Sequence, residues 1–171
     1  MTTLIYEKPY LVFGCGNTLF GNDGFGPEVI AYINAHHTLP DSVLLVDAGT
    51  GIRDFIFDLL LADTIPELVI VIDAVTMDGR EQGEVFEIDL AAMPREKLSD
   101  FSLHQSPSSN LLAQLKDRGI EVKIIAMHTQ SIPNEIAPGL CPRAKNAIAL
   151  AAGKILGELK SRTRFLVNRG I

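Results

Sequence analysis

The stretch that most limits how this chain can fold is Phe13 to Val29, FGCGNTLFGNDGFGPEV. It closes a short apolar run, Tyr10 to Phe13, and opens a helical pattern. Between the two lie Gly14, Gly16, Gly21, Gly24 and Gly26, with Asn17, Asn22 and Asp23. Glycines allow such a connection to turn sharply and to bring backbone close to a ligand or a neighbouring element. Asp23 is the only acidic side chain between Gly14 and Gly26. A strand feeding a helix through a glycine-rich loop is the opening unit of an open α/β sheet.

The remainder of the chain repeats that alternation. Phe25, Val29, Ile30 and Ile33 recur at helical spacing, which predicts a helix from about Gly24 to His37. The neighbouring His36 and His37 point to different sides of its end and read as a solvated terminus, where imidazolium suits the helix dipole. Val43–Val46 reads as a second strand ending at Asp47, followed by a tight Ala48-Gly49-Thr50-Gly51 loop. Ile52, Phe55, Ile56, Leu59 and Leu60 form an amphipathic stripe. Leu68–Ile72 is continuously apolar, as a strand buried on both faces should be, and ends at Asp73. Gly83–Leu90 alternates after the turn Met77-Asp78-Gly79-Arg80, which predicts an antiparallel hairpin partner of the third strand. Ser106-Pro107 starts a helix that Gly119 stops; Val122–Met127 is a strand ending at His128. Pro142 opens a last helix to about Lys160, and the arginine-containing tail reads as a frayed, solvated end.

The expectation is one domain over residues 1–171, with its compact core at about 10–160 and a short C-terminal tail. Its fold class is α/β, a three-layer α/β/α sandwich with a mixed, mostly parallel five-stranded sheet and helices on both faces. A net charge of -6 argues against nucleic acid as a partner, since phosphate binding needs a basic face. No apolar run approaches the roughly 20 residues that cross a bilayer, and the N-terminus has no signal pattern. Two cysteines, Cys15 and Cys141, form no metal-spaced pair, consistent with a reduced, cytoplasmic setting.

Ligands of such sheets gather beyond the carboxyl ends of the strands. Asn17, Asp23, Asp47, Asp73 and His128 fall there, and the loop around His104 can return to the same edge. Two carboxylates and an imidazole, Asp23, Asp73 and His104, are a workable ligand set for zinc, nickel or another divalent ion, leaving positions for water or substrate. An ion so held can polarise an amide carbonyl or acidify water. His128 competes with His104 for the imidazole role. Taken singly, each residue also has a plainer reading: Asp23 an Asx turn, Asp73 a strand-end turn former, His104 a loop residue. Cys15 reads as a small buried residue rather than a nucleophile, and Cys141 has no visible partner. A nucleotide-binding module is the alternative: Gly14-Cys15-Gly16 follows a strand and Asp47 closes the next, as in the dinucleotide fingerprint. That match breaks at Leu19, where the third glycine belongs, and an acidic loop is a poor bed for pyrophosphate.

GCGNTLFGNDGFGPEV resembles the opening motif of the hydrogenase maturation endopeptidases, roughly G-x-G-N-x-L-x-x-D-[DE]-G-x-G. DAGTG at Asp47–Gly51, VIDAV at Val71–Val75 and SLHQ at Ser102–Gln105 agree in order, and IPNEIAPGLCPRAKNAI is similar to the family's closing loop and helix. The likeness runs from about Tyr10 to Lys160, and IPNEIAPGL is most similar to the branch serving deazaflavin-reducing hydrogenases. The resemblance implies an endopeptidase that removes the C-terminal extension of a nickel-iron hydrogenase large-subunit precursor once nickel has been inserted. It implies Asp23, Asp73 and His104 as the nickel contacts, Asp23 and Asp73 as catalytic, and Asp47, Gly49, Thr50 and Gly51 as substrate-recognising. The nickel would be supplied by the substrate rather than held permanently, and the free protein is expected to be a monomer. Asn22 departs from the motif, standing where the family carries the first of two acids; its presence predicts a less negative loop.

Overall fold

The computed structural model describes residues 6–90 and 108–168. A five-stranded sheet runs through it in the order β2-β1-β3-β5-β4. Its strands are β1 (Tyr10–Cys15), β2 (Val43–Gly49), β3 (Leu68–Val75), β4 (Val85–Ile88) and β5 (Glu121–His128). The β1–β2, β1–β3 and β3–β5 pairs are parallel, while β4 runs antiparallel to β5. The helices are α1 (Phe25–His36), α2 (Ile52–Leu61), α3 (Ser108–Asp117) and α4 (Pro142–Asn168).

The layers follow from the direction in which the chain moves across the sheet. From β1 it steps outward to β2 over α1, then reverses to reach β3 over α2. Right-handed crossovers require the helix to change face when that direction reverses. Accordingly α1 and α4 cover one face, packing on Tyr10, Val12, Ile70, Ile72 and Met127. The other face, under α2 and α3, carries Leu11, Phe13, Cys15, Val69, Val71 and Ile124. Alternate residues of β3 belong to opposite cores, which is why its run is apolar throughout and wholly buried.

Two expectations need correction. The strand after Met77-Asp78-Gly79-Arg80 is antiparallel, as expected, but its partner is β5 and not β3. Both edges of β3 are already filled, by β1 and β5, so the connection passes beyond β5 and β4 takes the free edge. The tail is not a frayed end up to Asn168: α4 continues to that residue. Arg162 holds it to the sheet, reaching Glu121 at 2.7 Å and Glu158 at 2.7 Å. Smaller differences lie at element ends. Strand β2 extends to Gly49, with Gly14 opposite Asp47 and Cys15 opposite Gly49, so Ala48 is an extra residue that bulges the edge strand. The predicted helix start at Ser106-Pro107 lies outside the described residues; the helix is present from Ser108.

Helix α2 ends without a glycine. Arg118, just past α3, caps it instead: Nη1 donates to the carbonyls of Leu59 (2.9 Å) and Leu60 (2.6 Å), and Nη2 to that of Ala62 (3.1 Å). Carbonyls at a helix end have no partner within the helix, and a cation there also suits the dipole. Arg118→Ala is therefore expected to cost about 1–2 kcal/mol, lowering the melting temperature by roughly 2–8 °C. A thermal melt showing no change would mean that water replaces the guanidinium without loss.

Candidate active site

The strand order reverses between β1 and β3, and the crevice beyond their carboxyl ends is where such sheets bind ligands. The sequence delivers two aspartates to it by different routes. Asp73 lies inside β3, on the face shared with Cys15 by strand alternation, and is fully buried. Its Oδ1 accepts the Ala74 N–H at 2.8 Å. Asp23 comes from a single 3-10 turn, Gly21–Gly24, inserted between β1 and α1. It is also buried, with Oδ2 accepting the Asn17 N–H at 2.9 Å.

Gly16 lets that turn fold back onto the strand end. Its φ is +131°, and a β-carbon there would lie 1.7 Å from the Asp23 carbonyl oxygen. No other residue type accommodates both. The loop between β1 and α1 is thus built around a returning carboxylate.

Electrostatics bind these residues into one site. Burial pushes the Asp73 carboxyl well above its usual range, and the neighbouring charge of Asp23 pushes it further. Burial likewise raises the Cys15 thiol, with Asp73, Asp47 and Asp23 adding to the effect in that order. Cys15 is thus a fully buried thiol held protonated by burial and three acids, a poor nucleophile. Cys141, at the start of α4, is the opposite case. Partial burial pushes its thiol up, but the Ala144 N–H, Asn22, Gln82 and the Arg143 N–H together bring it below the ordinary value. Iodoacetamide at neutral pH is expected to label Cys141 and to spare Cys15 until the protein is denatured; mass spectrometry of the labelled peptides checks this, and equal labelling rates would contradict it.

The segment from Asp47 to Gly51 flanks the site at the carboxyl end of the edge strand. Asp47 is exposed, its Oδ1 accepting the Gly49 N–H at 3.0 Å, and the Gly49 carbonyl accepts the Gly16 N–H at 2.9 Å. Thr50 is exposed and Gly51 donates to Ala48. His104 lies outside the described residues. His128 is buried, and its Nδ1 accepts the Met77 N–H at 3.1 Å, so that nitrogen is occupied in tying β5 to the segment after β3. His36 is also accounted for: its Nδ1 lies 2.8 Å from the Tyr32 carbonyl and its ring stacks on Tyr32. Among the described residues no group of three ligating side chains is assembled; Asp23 and Asp73 are the pair that the fold brings together. A cavity of about 400 Å³ near Tyr6, Asp58 and Leu61 lies at the opposite, amino-terminal edge of the sheet.

The residue next to Asp23 is also buried. Asn22 was expected only to make the loop less negative. It is buried, with Nδ2 donating to Thr129 Oγ1 (3.1 Å) and to Cys141 Sγ (3.4 Å), and Oδ1 accepting the Cys141 N–H (2.8 Å). Thr129 and Cys141 had no signal in the sequence beyond their position just after a strand and just before Pro142.

A doubly wound sheet with two buried aspartates at its switch point defines an α/β protein with a polar crevice beyond the carboxyl ends of its strands. The comparisons with known proteins give the family. Residues 27–158 match the family model described as hydrogenase maturation protease. A putative hydrogenase maturation protease of Methanocaldococcus jannaschii is 36% identical over 155 residues, covering 90% of this chain and 98% of the relative. The coenzyme F420 hydrogenase subunit delta of Methanothermobacter thermautotrophicus is 36% identical over 159 residues, covering 90% and 96%. The crystal structure of the [NiFe] hydrogenase maturation protease HycI from Thermococcus kodakarensis has the same fold, with a TM-score of 0.68 at 23% identity, over 90% of this chain and 93% of that one. The chain belongs to the hydrogenase maturation protease family, and is a peptide-bond hydrolase.

Proposed function

We propose that this protein removes the C-terminal extension from the large-subunit precursor of a nickel-iron hydrogenase after nickel insertion, and that it recognises the substrate's nickel through Asp23, Asp73 and His104. The observation that carries the reading is the burial of both Asp23 and Asp73 at the switch point, near enough for the charge of Asp23 to raise the Asp73 carboxyl. Two carboxylates with so little water are costly when both are ionised. A dication offsets that cost directly, and oxygen donors with an imidazole suit nickel. The site is thereby weak while empty and strengthened when the loaded precursor arrives, which is what a sensor of completed metal insertion requires.

The substrate's ion supplies Lewis acidity at the scissile region. The chain's own residues supply position and charge: Asn17 and Ala74 N–H groups fix one oxygen of each carboxylate, and the Asp47–Gly51 segment borders the approach. Cys15 is fully buried with its thiol pushed up, and so is poorly suited to form an acyl-enzyme. The Methanothermobacter relative points toward a deazaflavin-type hydrogenase as the substrate, in keeping with IPNEIAPGL.

Mixing the protein with nickel-loaded and nickel-free precursor tests this. Loss of the extension from the loaded form alone is the expected result. Equal cleavage of both forms would overturn nickel sensing, and cleavage of neither would overturn the function.

A further inference from the structure

The turn that carries Asp23 is joined to a distant part of the fold by its neighbour. Asn22 uses every polar group of its side chain: the amide nitrogen donates to Thr129 Oγ1 and Cys141 Sγ, and the amide oxygen accepts from Cys141 N. Thr129 is itself fully buried and fixed to the end of β3. Its N–H donates to the Val75 carbonyl at 2.9 Å, its carbonyl accepts from Thr76 Oγ1 at 2.9 Å, and its hydroxyl donates to the Ser131 carbonyl at 2.9 Å. Val75 is two residues past Asp73 on the same strand. A short path of hydrogen bonds therefore runs from the Asp23 turn, through Asn22 and Thr129, to the strand that holds Asp73.

We propose that Asn22 is a positioning residue, which clamps the Asp23 turn to the β3–β5 end of the sheet and so sets the spacing of Asp23 and Asp73 on which cleavage depends. The inference rests on the function proposed above. Two buried carboxylates repel when both are ionised, and an inserted turn at the end of a loop yields more readily than a central strand. The Asn17 N–H ties Asp23 to its own loop. Backbone hydrogen bonds between Gly21 and Ala137 and between Ala137 and Leu19, both 2.8 Å, hold the near end of the turn. The Asn22 side chain reaches both Thr129 and Cys141, beyond the turn itself. An aspartate here would still accept from Cys141 N, but it has no N–H for Thr129 Oγ1 or Cys141 Sγ.

A misplacement of about 1 Å at a reacting centre costs on the order of 10²-fold in rate. Single-turnover cleavage of nickel-loaded precursor is expected to slow by about tenfold to a hundredfold in Asn22→Ala, with half-saturation by precursor unchanged within about twofold. Thr129→Val, which keeps the shape and removes the hydroxyl, should slow the reaction too, and Thr129→Ser should lose less than Thr129→Val. Melting curves give the folded fraction of each variant at the assay temperature. Wild-type cleavage by Asn22→Ala, a defect confined to half-saturation, a defect accounted for by unfolding, or equal losses in the two Thr129 variants would each overturn the proposal. Crystal structures of the wild type and Asn22→Ala provide a readout independent of activity: the distance between the Asp23 and Asp73 carboxylates should change. An unchanged distance overturns the clamp even if the wild type cleaves normally. Wild type that leaves loaded precursor intact instead removes the functional reading, and the crystallographic distance still decides the clamp.

Discussion

Asp73→Asn is expected to raise the melting temperature at neutral pH while reducing precursor cleavage by about a hundredfold or more. The two effects share one cause. Burial and the Asp23 charge hold the Asp73 carboxyl above its usual range in the folded protein. Below the ordinary carboxylate range the group is protonated in folded and unfolded chains alike, and stability does not depend on it. As pH rises through that range the unfolded chain releases its proton first, so folding is progressively disfavoured until the raised folded-state value is passed. The wild type therefore carries a penalty at neutral pH that the amide does not. Asparagine keeps an oxygen for the Ala74 N–H, so the local turn survives. The difference in melting temperature should be largest near pH 7 and fade as pH falls below about 4, where the unfolded carboxyl takes up its proton too. Thermal melts across that interval, with cleavage assays on the same preparations, check both halves. A variant less stable than wild type at pH 7, or one that still cuts, would show that Asp73 is structural.

Gly26→Ala is the second large effect. A β-carbon at Gly26 would stand 2.3 Å from the Cys15 carbonyl oxygen, 2.5 Å from the Cys15 nitrogen and 2.6 Å from the Ile72 carbonyl oxygen. All three are backbone atoms of β1 and β3 in the middle of the sheet, with strands on both sides, and they have nowhere to go. Helix α1 must lift instead, loosening Phe25, Val29, Ile30 and Ile33, each of which is buried. The expected loss is about 3 kcal/mol or more, or roughly 6–12 °C in melting temperature for a domain of this size. Gly153, in the exposed part of α4, is the contrast: a β-carbon there meets nothing within 4 Å. Gly153→Ala should stabilise by about 0.5–1 kcal/mol through helix propensity alone. If both alanines behaved alike, close approach of α1 to the sheet would not be what Gly26 provides.

The role of Gly26 shows how far a sequence carries structural meaning. A glycine at a strand–helix junction signals close approach, but only the fold identifies what it approaches. The position of Asp23 and Asp73 was legible, since a strand end and a glycine-rich loop before a helix both lie at the carboxyl edge of an α/β sheet. The neutral state of Cys15 was legible in part, as a small buried residue; the three carboxylates around it were not. Asn22 was visible as a departure from a motif, yet its partners Thr129 and Cys141 are separated from it by 107 and 119 residues, and nothing local specifies them.

The amino-acid sequence alone determined the strands, the helices, their alternation and the edge at which the acids collect, because apolar periodicity and turn chemistry act over a few residues. Tertiary structure decided which strand β4 joins, how α2 is capped, how far α4 runs and what holds the Asp23 turn. Each of those depends on which edge, carbonyl or hydroxyl is still available once the rest of the chain has packed, and that is settled only by contacts between segments far apart along the chain.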